Sequence, residues 1–164
     1  MIETGEHAPD VTLPIARGEA YNDIGEFTLS DALDDGPVVL AFFPAAFTSG
    51  CTEELCAFRD SLPAFSELDA SVYGVSTDLP FAQNIFIQQE GLTFPLLSDF
   101  EHRAIRSYDV VHEGFYDVMF VAERSVFVIS EGRIVYRWRE EGESTDFEWL
   151  VGEIRDVLET EVKE

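Results

Sequence analysis

The clearest pattern along the chain is an unbroken apolar run, Val38-Val-Leu-Ala-Phe-Phe43, closed by Pro44. Continuous β-favouring residues without alternation mark a central strand buried on both faces. Downstream, Leu55, Phe58, Leu62 and Phe65 recur at spacings of three and four, which predicts a helix from Cys51 to about Leu68, interrupted or bent near Pro63. Ser71–Ser76 reads as a second strand, and Pro80 to about Glu90 as a helix with proline in its first turn and Gly91 just past its end. Thr93–Leu97 leads into a loop and a short helix near Arg103–Tyr108. Ser125–Ile129 and Arg133–Trp138 flank Ser-Glu-Gly and predict a β-hairpin. Phe147, Leu150, Val151, Ile154 and Leu158 form the stripe of a final amphipathic helix.

The N-terminal signals are weaker. Asp10–Leu13 alternates slightly, Phe27–Leu29 is a short strand candidate, and Ser30-Asp-Ala-Leu looks like a capped turn of helix. Strand–helix alternation ending in a hairpin and a helix predicts an α/β protein, a three-layer sandwich around a central mixed sheet with a thioredoxin-like arrangement. With no repeats, low-complexity tracts or linkers, the 164 residues read as one domain spanning 1–164.

Composition changes the picture in one respect. Apolar residues make up 46% of the chain, enough for a substantial core, but 10 basic against 33 acidic residues leave a net charge of −23. Such a surface repels nucleic acid and anionic membranes. The acidic residues are spread along the chain and are densest in Glu140–Glu143 and Glu159–Glu164, and Lys163 is the single lysine. That pattern predicts adaptation to high salt, where counter-ions screen self-repulsion; an acidic mesophilic protein is the alternative. The N-terminus shows no basic region followed by an apolar one, and the near-apolar run Val38–Phe47 is too short to span a bilayer. A cytoplasmic protein is expected, and there two cysteines, Cys51 and Cys56, are reactive thiols rather than a permanent staple.

The candidate chemistry sits in Phe42-Phe-Pro-Ala-Ala-Phe-Thr-Ser-Gly-Cys51, where a core strand ends and a helix begins. A cysteine in a first helical turn lies among unpaired backbone N–H groups at the positive end of the helix dipole, and both favour thiolate over thiol. Thr48, three residues earlier, is placed to aim its hydroxyl at the sulfur or at an arriving oxygen, or to cap the helix. Pro44 offers an apolar wall with no competing N–H.

Pro44-x-x-x-Thr48-x-x-Cys51 matches the signature of the peroxiredoxins, and Cys51-Thr-Glu-Glu-Leu-Cys-Ala-Phe-Arg-Asp60 resembles the peroxiredoxin Q (bacterioferritin-comigratory) group. Gly91-Leu-Thr-Phe-Pro-Leu-Leu-Ser-Asp99 also resembles that family and, with Phe43-Pro-Ala-Ala-Phe-Thr, is similar to the alkyl hydroperoxide reductase E branch. Arg124-Ser-Val-Phe-Val-Ile129 resembles the family's arginine-bearing strand. Many relatives carry proline directly after the first cysteine, where this chain has Thr52.

The resemblance implies a thiol-dependent peroxidase acting on hydrogen peroxide and organic hydroperoxides, with no haem, flavin or metal. It implies that Cys51 attacks the peroxide, that Thr48, the Cys51 N–H and Arg124 hold the two oxygens, and that Cys56 resolves the sulfenic acid into a disulfide. A thioredoxin-like or low-molecular-weight thiol then restores the pair, in a monomer or a homodimer. Five residues along an ideal helix separate Cα atoms by roughly 8.7 Å, whereas a disulfide needs about 7 Å or less. The first turns must therefore unwind before Cys51 and Cys56 can bridge.

Other readings remain beside these. Resolution by an external thiol, a dithiol oxidoreductase (without the usual Cys-x-x-Cys) and a peroxide sensor are the rival functions. Glu54 is expected as a solvated first-turn carboxylate rather than a partner of the arginine, and Arg59 as a structural ion pair. His7, His102 and His112 have no ligand spacing to each other or to the cysteines, so no metal site is expected. Phe42, Phe43, Phe47 and Phe58 are expected in the core, with Phe47 a candidate for the pocket wall or a dimer contact.

Overall fold

The computed structural model describes the backbone of residues 1–142 and 144–163 and the side chains of 1–142 and 144–161. Glu143 and Glu164, part of the acidic C-terminal runs, lie outside the described residues. The chain order is β1 (Thr12–Ala16), β2 (Ile24–Thr28), α1 (Leu29–Ala32), β3 (Val38–Phe42), α2 (Ser49–Glu67), β4 (Ser71–Ser76), α3 (Pro80–Glu90) and β5 (Leu96–Ser98). There follow α4 (Arg103–Ser107), β6 (Val111–Phe115), β7 (Met119–Ala122), β8 (Ser125–Ser130), β9 (Arg133–Arg139) and α5 (Phe147–Lys163).

Seven strands form one mixed sheet in the order β2-β1-β5-β4-β3-β8-β9, and β6 pairs with β7 apart from it. The apolar run 38–42 is the core strand its composition predicts, buried at every residue. Its side chains divide between the two faces of the sheet. Val39, Ala41 and Phe43 pack with Leu55, Phe58 and Phe65 of α2, Phe86 of α3 and Leu150 and Ile154 of α5. Val38, Leu40 and Phe42 pack with Leu29 of α1 and Ala104, Ile105 and Tyr108 in and beside α4. This is the expected three-layer α/β sandwich with a mixed sheet.

The register of β3 positions the site. It runs parallel to β4 and antiparallel to β8, with Phe42 opposite Ser125. The end of β3, from which the chain turns into α2, thus lies beside the beginning of β8. Residues some 70 positions apart meet there.

Several local expectations need correction. Helix α2 runs through Pro63 without interruption. Ser30 does not cap α1; its own N–H is capped by the distant Asp10 carboxylate, 2.9 Å away. The β6–β7 hairpin has no counterpart in the hydrophobic pattern, because Tyr116, Val118 and Phe120 are exposed while the adjacent Val121 and Ala122 are buried, which breaks any alternation. Between β8 and β9, Glu131 and Gly132 both take positive φ, 53° and 81°, the mirror-image turn that suits a hairpin's twist.

Candidate active site

Cys51 is the third residue of α2, and its side chain is buried, only 1% exposed. Arg124, the last residue before β8, reaches it because β8 starts where β3 ends; Nη2 donates to Cys51 Sγ at 3.3 Å. Gly50 makes room for this approach, since a Cβ there would lie 3.2 Å from the same nitrogen.

The guanidinium is held from several sides. Nη1 donates to Glu54 Oε1 at 2.9 Å, Nε donates to Glu140 Oε1 at 3.4 Å, and the Phe147 ring lies 5.8 Å from the guanidinium carbon. Burial works against the arginine's charge, but Glu54, the Cys51 sulfur and Glu140 outweigh it and hold its pKa above the usual arginine range. The fork of five donors thus binds two carboxylates and a sulfur at once, which a point-charge lysine does not reproduce.

Glu54 corrects an expectation. It is fully buried rather than a solvated first-turn carboxylate. Burial pushes its carboxyl up to about 7, with Arg124 opposing the shift and Glu140 adding to it. Its Oε2 is buried with no hydrogen-bond partner, so only one of its two oxygens meets the arginine. With α2 starting at Ser49, Glu54 also lies past the first turn of the helix, and its place along the helix does not by itself give the face it takes. Glu54 lies one position before Leu55 of the apolar stripe and faces the sheet end where Arg124 emerges.

Thr48 occupies the cap position of α2 but makes no side-chain cap bond. Its hydroxyl donates to the Ala45 carbonyl at 2.8 Å, and its own carbonyl accepts from both Thr52 N and Thr52 Oγ1, at 3.0 and 2.9 Å. Proline at position 52 could make neither bond, so the departure from the family pattern ties down the first turn of α2. Pro44 is buried two residues past the end of β3, where the absence of an N–H leaves nothing to satisfy.

Asp78 carries a role that the motifs do not announce. Its Oδ2 accepts from Ala46 N at 2.9 Å and from Ser76 Oγ at 2.7 Å, while its carbonyl accepts from Ser98 Oγ at 2.7 Å. Gln83 Nε2 donates to Ser76 Oγ and to the Leu97 carbonyl, at 3.0 and 2.8 Å. The loop Pro44–Thr48 is thereby fastened to the ends of β4 and β5. Phe47 in that loop holds φ at 69°, an unfavourable conformation for an aromatic residue, and is 48% exposed with its ring edge-on to Phe86. It is not a core residue, unlike Phe42, Phe43 and Phe58.

Cys56 lies on the same helix in different surroundings. It is a half-buried free thiol, raised in pKa chiefly by burial, with Arg59 opposing and Glu90 and Asp60 adding. Arg59 pairs with Asp60 at 3.0 Å and also donates to the Glu90 carbonyl at 2.6 Å, the structural role expected of it. Among the described residues, no three His, Cys, Asp or Glu converge as a metal-holding group, and no helix is long and apolar enough to cross a membrane.

Comparison with known proteins gives the family. Peroxiredoxin Bcp of Bacillus subtilis (strain 168) is 39% identical over 142 residues, 85% of this chain and 86% of that protein. Alkyl hydroperoxide reductase E of Mycobacterium bovis is 36% identical over 137 residues, 82% of this chain and 83% of that one. The crystal structure of peroxidoxin BcpB from Mycobacterium tuberculosis superposes with a TM-score of 0.84 and 31% identity, covering 98% of each chain, and establishes the thioredoxin-like peroxiredoxin fold. Residues 4–137 match the AhpC/TSA family. The chain belongs to that family and is a thiol-dependent peroxidase of the peroxiredoxin Q kind.

Proposed function

We propose that Cys51 is the peroxidatic cysteine and Cys56 its resolving partner, in an enzyme that reduces hydrogen peroxide and organic hydroperoxides. The observation that carries this reading is the contact between Arg124 Nη2 and Cys51 Sγ, with the arginine itself braced by Glu54. A fixed cation beside a sulfur at a helix N-terminus favours thiolate and stands ready for charge on a departing oxygen.

In this mechanism the Cys51 thiolate attacks the terminal oxygen of the hydroperoxide. An S–O bond forms, the O–O bond breaks, and the leaving oxygen departs as water or alcohol after taking a proton. Arg124 and the Cys51 N–H donate to the peroxide oxygens. The Thr48 hydroxyl donates its one hydrogen bond to the Ala45 carbonyl, so towards substrate it serves as an acceptor for the peroxide O–H. Pro44 walls the pocket on the side of the sheet. The sulfenic acid on Cys51 then condenses with the Cys56 thiol, releasing water and leaving a disulfide that a thioredoxin-type reductant reopens. This last reaction needs the first turns of α2 to unwind.

Intact mass after one equivalent of hydrogen peroxide, added to the reduced protein in high salt, tests the assignment. Rapid loss of two hydrogens is expected. Gain of one oxygen moves resolution to an outside thiol, and no rapid change refutes the role of Cys51.

We further read residues 1–164 as one cytoplasmic domain that forms a homodimer and works at high salt. Support for the dimer comes from residues 79–89, which carry no charge in a chain of net −23. Leu79, Phe81 and Ile85 are exposed there beside Tyr21. Such a face lets two strongly acidic copies meet without apposing like charges. Phe81→Glu is expected to shift the protein to monomer in sedimentation, and dilution from molar salt is expected to lower its melting temperature.

A further inference from the structure

A cavity of about 580 Å³ forms a groove between α2 and α5, apart from the contact between Arg124 and Cys51. Its floor is apolar: Ala57 and Phe65 from α2, Phe147 and Val151 from α5. Its rim is acidic, with Glu53, Asp60, Asp146 and Glu148 exposed around it and Arg155 the cation among them. Cys56 lines this groove, whereas Cys51 does not line it and is buried against Arg124.

We propose that this groove is the docking site for the protein reductant, a thioredoxin-type dithiol protein that presents an apolar tip beside its nucleophilic cysteine and a basic flank. The inference rests on the reading of Cys56 as the resolving thiol. Three observations select the occupant. The sulfur that must be attacked opens into the groove. The floor matches an apolar contact surface, and the carboxylate rim calls for cationic groups around it. The site also outlasts the conformational change that disulfide formation requires. Unwinding the start of α2 as far as Cys56 moves Glu53 of the rim, whereas Ala57, Ser61 and Phe65 lie beyond it and Phe147 and Val151 belong to α5.

The chemistry balances as an ordinary exchange. The reductant's first thiolate attacks Cys56 Sγ, the Cys51–Cys56 bond breaks, and Cys51 leaves as thiolate to return beside Arg124. The reductant's second thiolate then attacks its own sulfur in the mixed disulfide, releasing Cys56. Two electrons pass from the reductant's dithiol to the protein disulfide.

Gly152 supplies the test. It lines the groove on α5, and a Cβ built there meets nothing within 4 Å, so a large side chain fills the groove without displacing the core. The quantity to measure is kcat/KM with a thioredoxin divided by kcat/KM with dithiothreitol, which is too small to need a groove. Gly152→Trp is expected to lower this ratio about tenfold or more, the loss of roughly 1.4 kcal/mol of docking energy. Gly152→Leu is expected to lower it less, and serves should the tryptophan variant fail to fold. Glu148→Lys is expected to slow thioredoxin roughly threefold through the rim charge alone. A thioredoxin lacking its second cysteine is expected to be trapped on Cys56. An unchanged ratio in both Gly152 variants, or trapping on Cys51, overturns the proposal. Failure of the wild-type protein to lose two hydrogens with peroxide would instead refute Cys56 as the resolving thiol, independently of where a reductant docks.

Discussion

Cys51 and Cys56 stand five residues apart on one helix, yet their surroundings share almost nothing. Cys51 faces the sheet, buried, with a guanidinium at 3.3 Å. Cys56 faces an open groove, its ionisation disfavoured by burial and by Glu90 and Asp60. A helix turns about 100° per residue, so a five-residue step carries a side chain from the interior of one layer to the edge between two helices. The contrast teaches that the division of labour between the thiols is set by what faces each from across the fold.

The strongest way to break that contrast is to remove the groups that make Cys51 special. Cys51→Ser is expected to abolish peroxide turnover. Arg124→Lys keeps a positive charge but loses the fork that spans Glu54, Glu140 and the sulfur. It is expected to slow sulfenic acid formation by about 10²–10³, measured by stopped-flow fluorescence, as loss of a preorganised donor does elsewhere. An effect below about threefold would show that the helix terminus alone activates the thiol.

Cys56 sharpens the contrast from the other side. Cys56→Ser is expected to leave the first oxidation fast and to slow thioredoxin-dependent recycling strongly. Because its thiol is raised in pKa and must ionise to attack, the resolution step is expected to accelerate by about tenfold per pH unit over the range where the thiol remains mostly protonated. A resolution rate without that slope would mean that helix unwinding, rather than Cys56 ionisation, limits the step.

A smaller effect separates the placement of the pocket from its chemistry. Asp78 holds the active-site loop through Ala46 N, and Asp78→Ala leaves that N–H without its partner. Sulfenic acid formation is expected to fall about tenfold, the scale of one lost hydrogen bond to a charged group. Asp78→Asn keeps an acceptor oxygen and is expected to recover most of the rate. Failure of the asparagine to rescue would mean that Asp78 acts through its charge.

How much of this was legible beforehand follows from the range of each interaction. The burial of 38–42, the stripe of α2, the hairpin of β8 and β9 and the helix at 147–163 are encoded by neighbours in the chain, and the pattern finds them. The motif from Pro44 to Cys51 is equally local. The union of Arg124 with Cys51 was accessible only through family resemblance, because it depends on β8 pairing antiparallel with β3 in a register that places Ser125 opposite Phe42. Glu54 was misjudged for the same reason: its partner lies 70 residues away, and nothing within its own turn of helix declares it. Asp78 and the hairpin at 111–122 left no periodic signal, one because a single hydrogen bond has none, the other because exposed Tyr116, Val118 and Phe120 run straight into buried Val121 and Ala122.

Glu54 gives the subtlest test, since it sits between the two regimes. Its folded pKa, about 7, lies above the ordinary value of 4.5 because burial penalises the carboxylate more than Arg124 favours it. Between those pH values the folded state binds a proton that the unfolded chain has released. Stability from this group is therefore fully present below about pH 4.5 and is lost as the pH rises through about 7. Glu54→Gln cannot take up that proton, so the unfolding free energy of the wild type relative to the variant should increase as the pH is lowered from 8 to 5 at constant high salt. Denaturant titrations at the two pH values measure the difference directly. An opposite trend would mean that the ion pair with Arg124 outweighs burial, and that the arginine is braced by a carboxylate ionised throughout the working range.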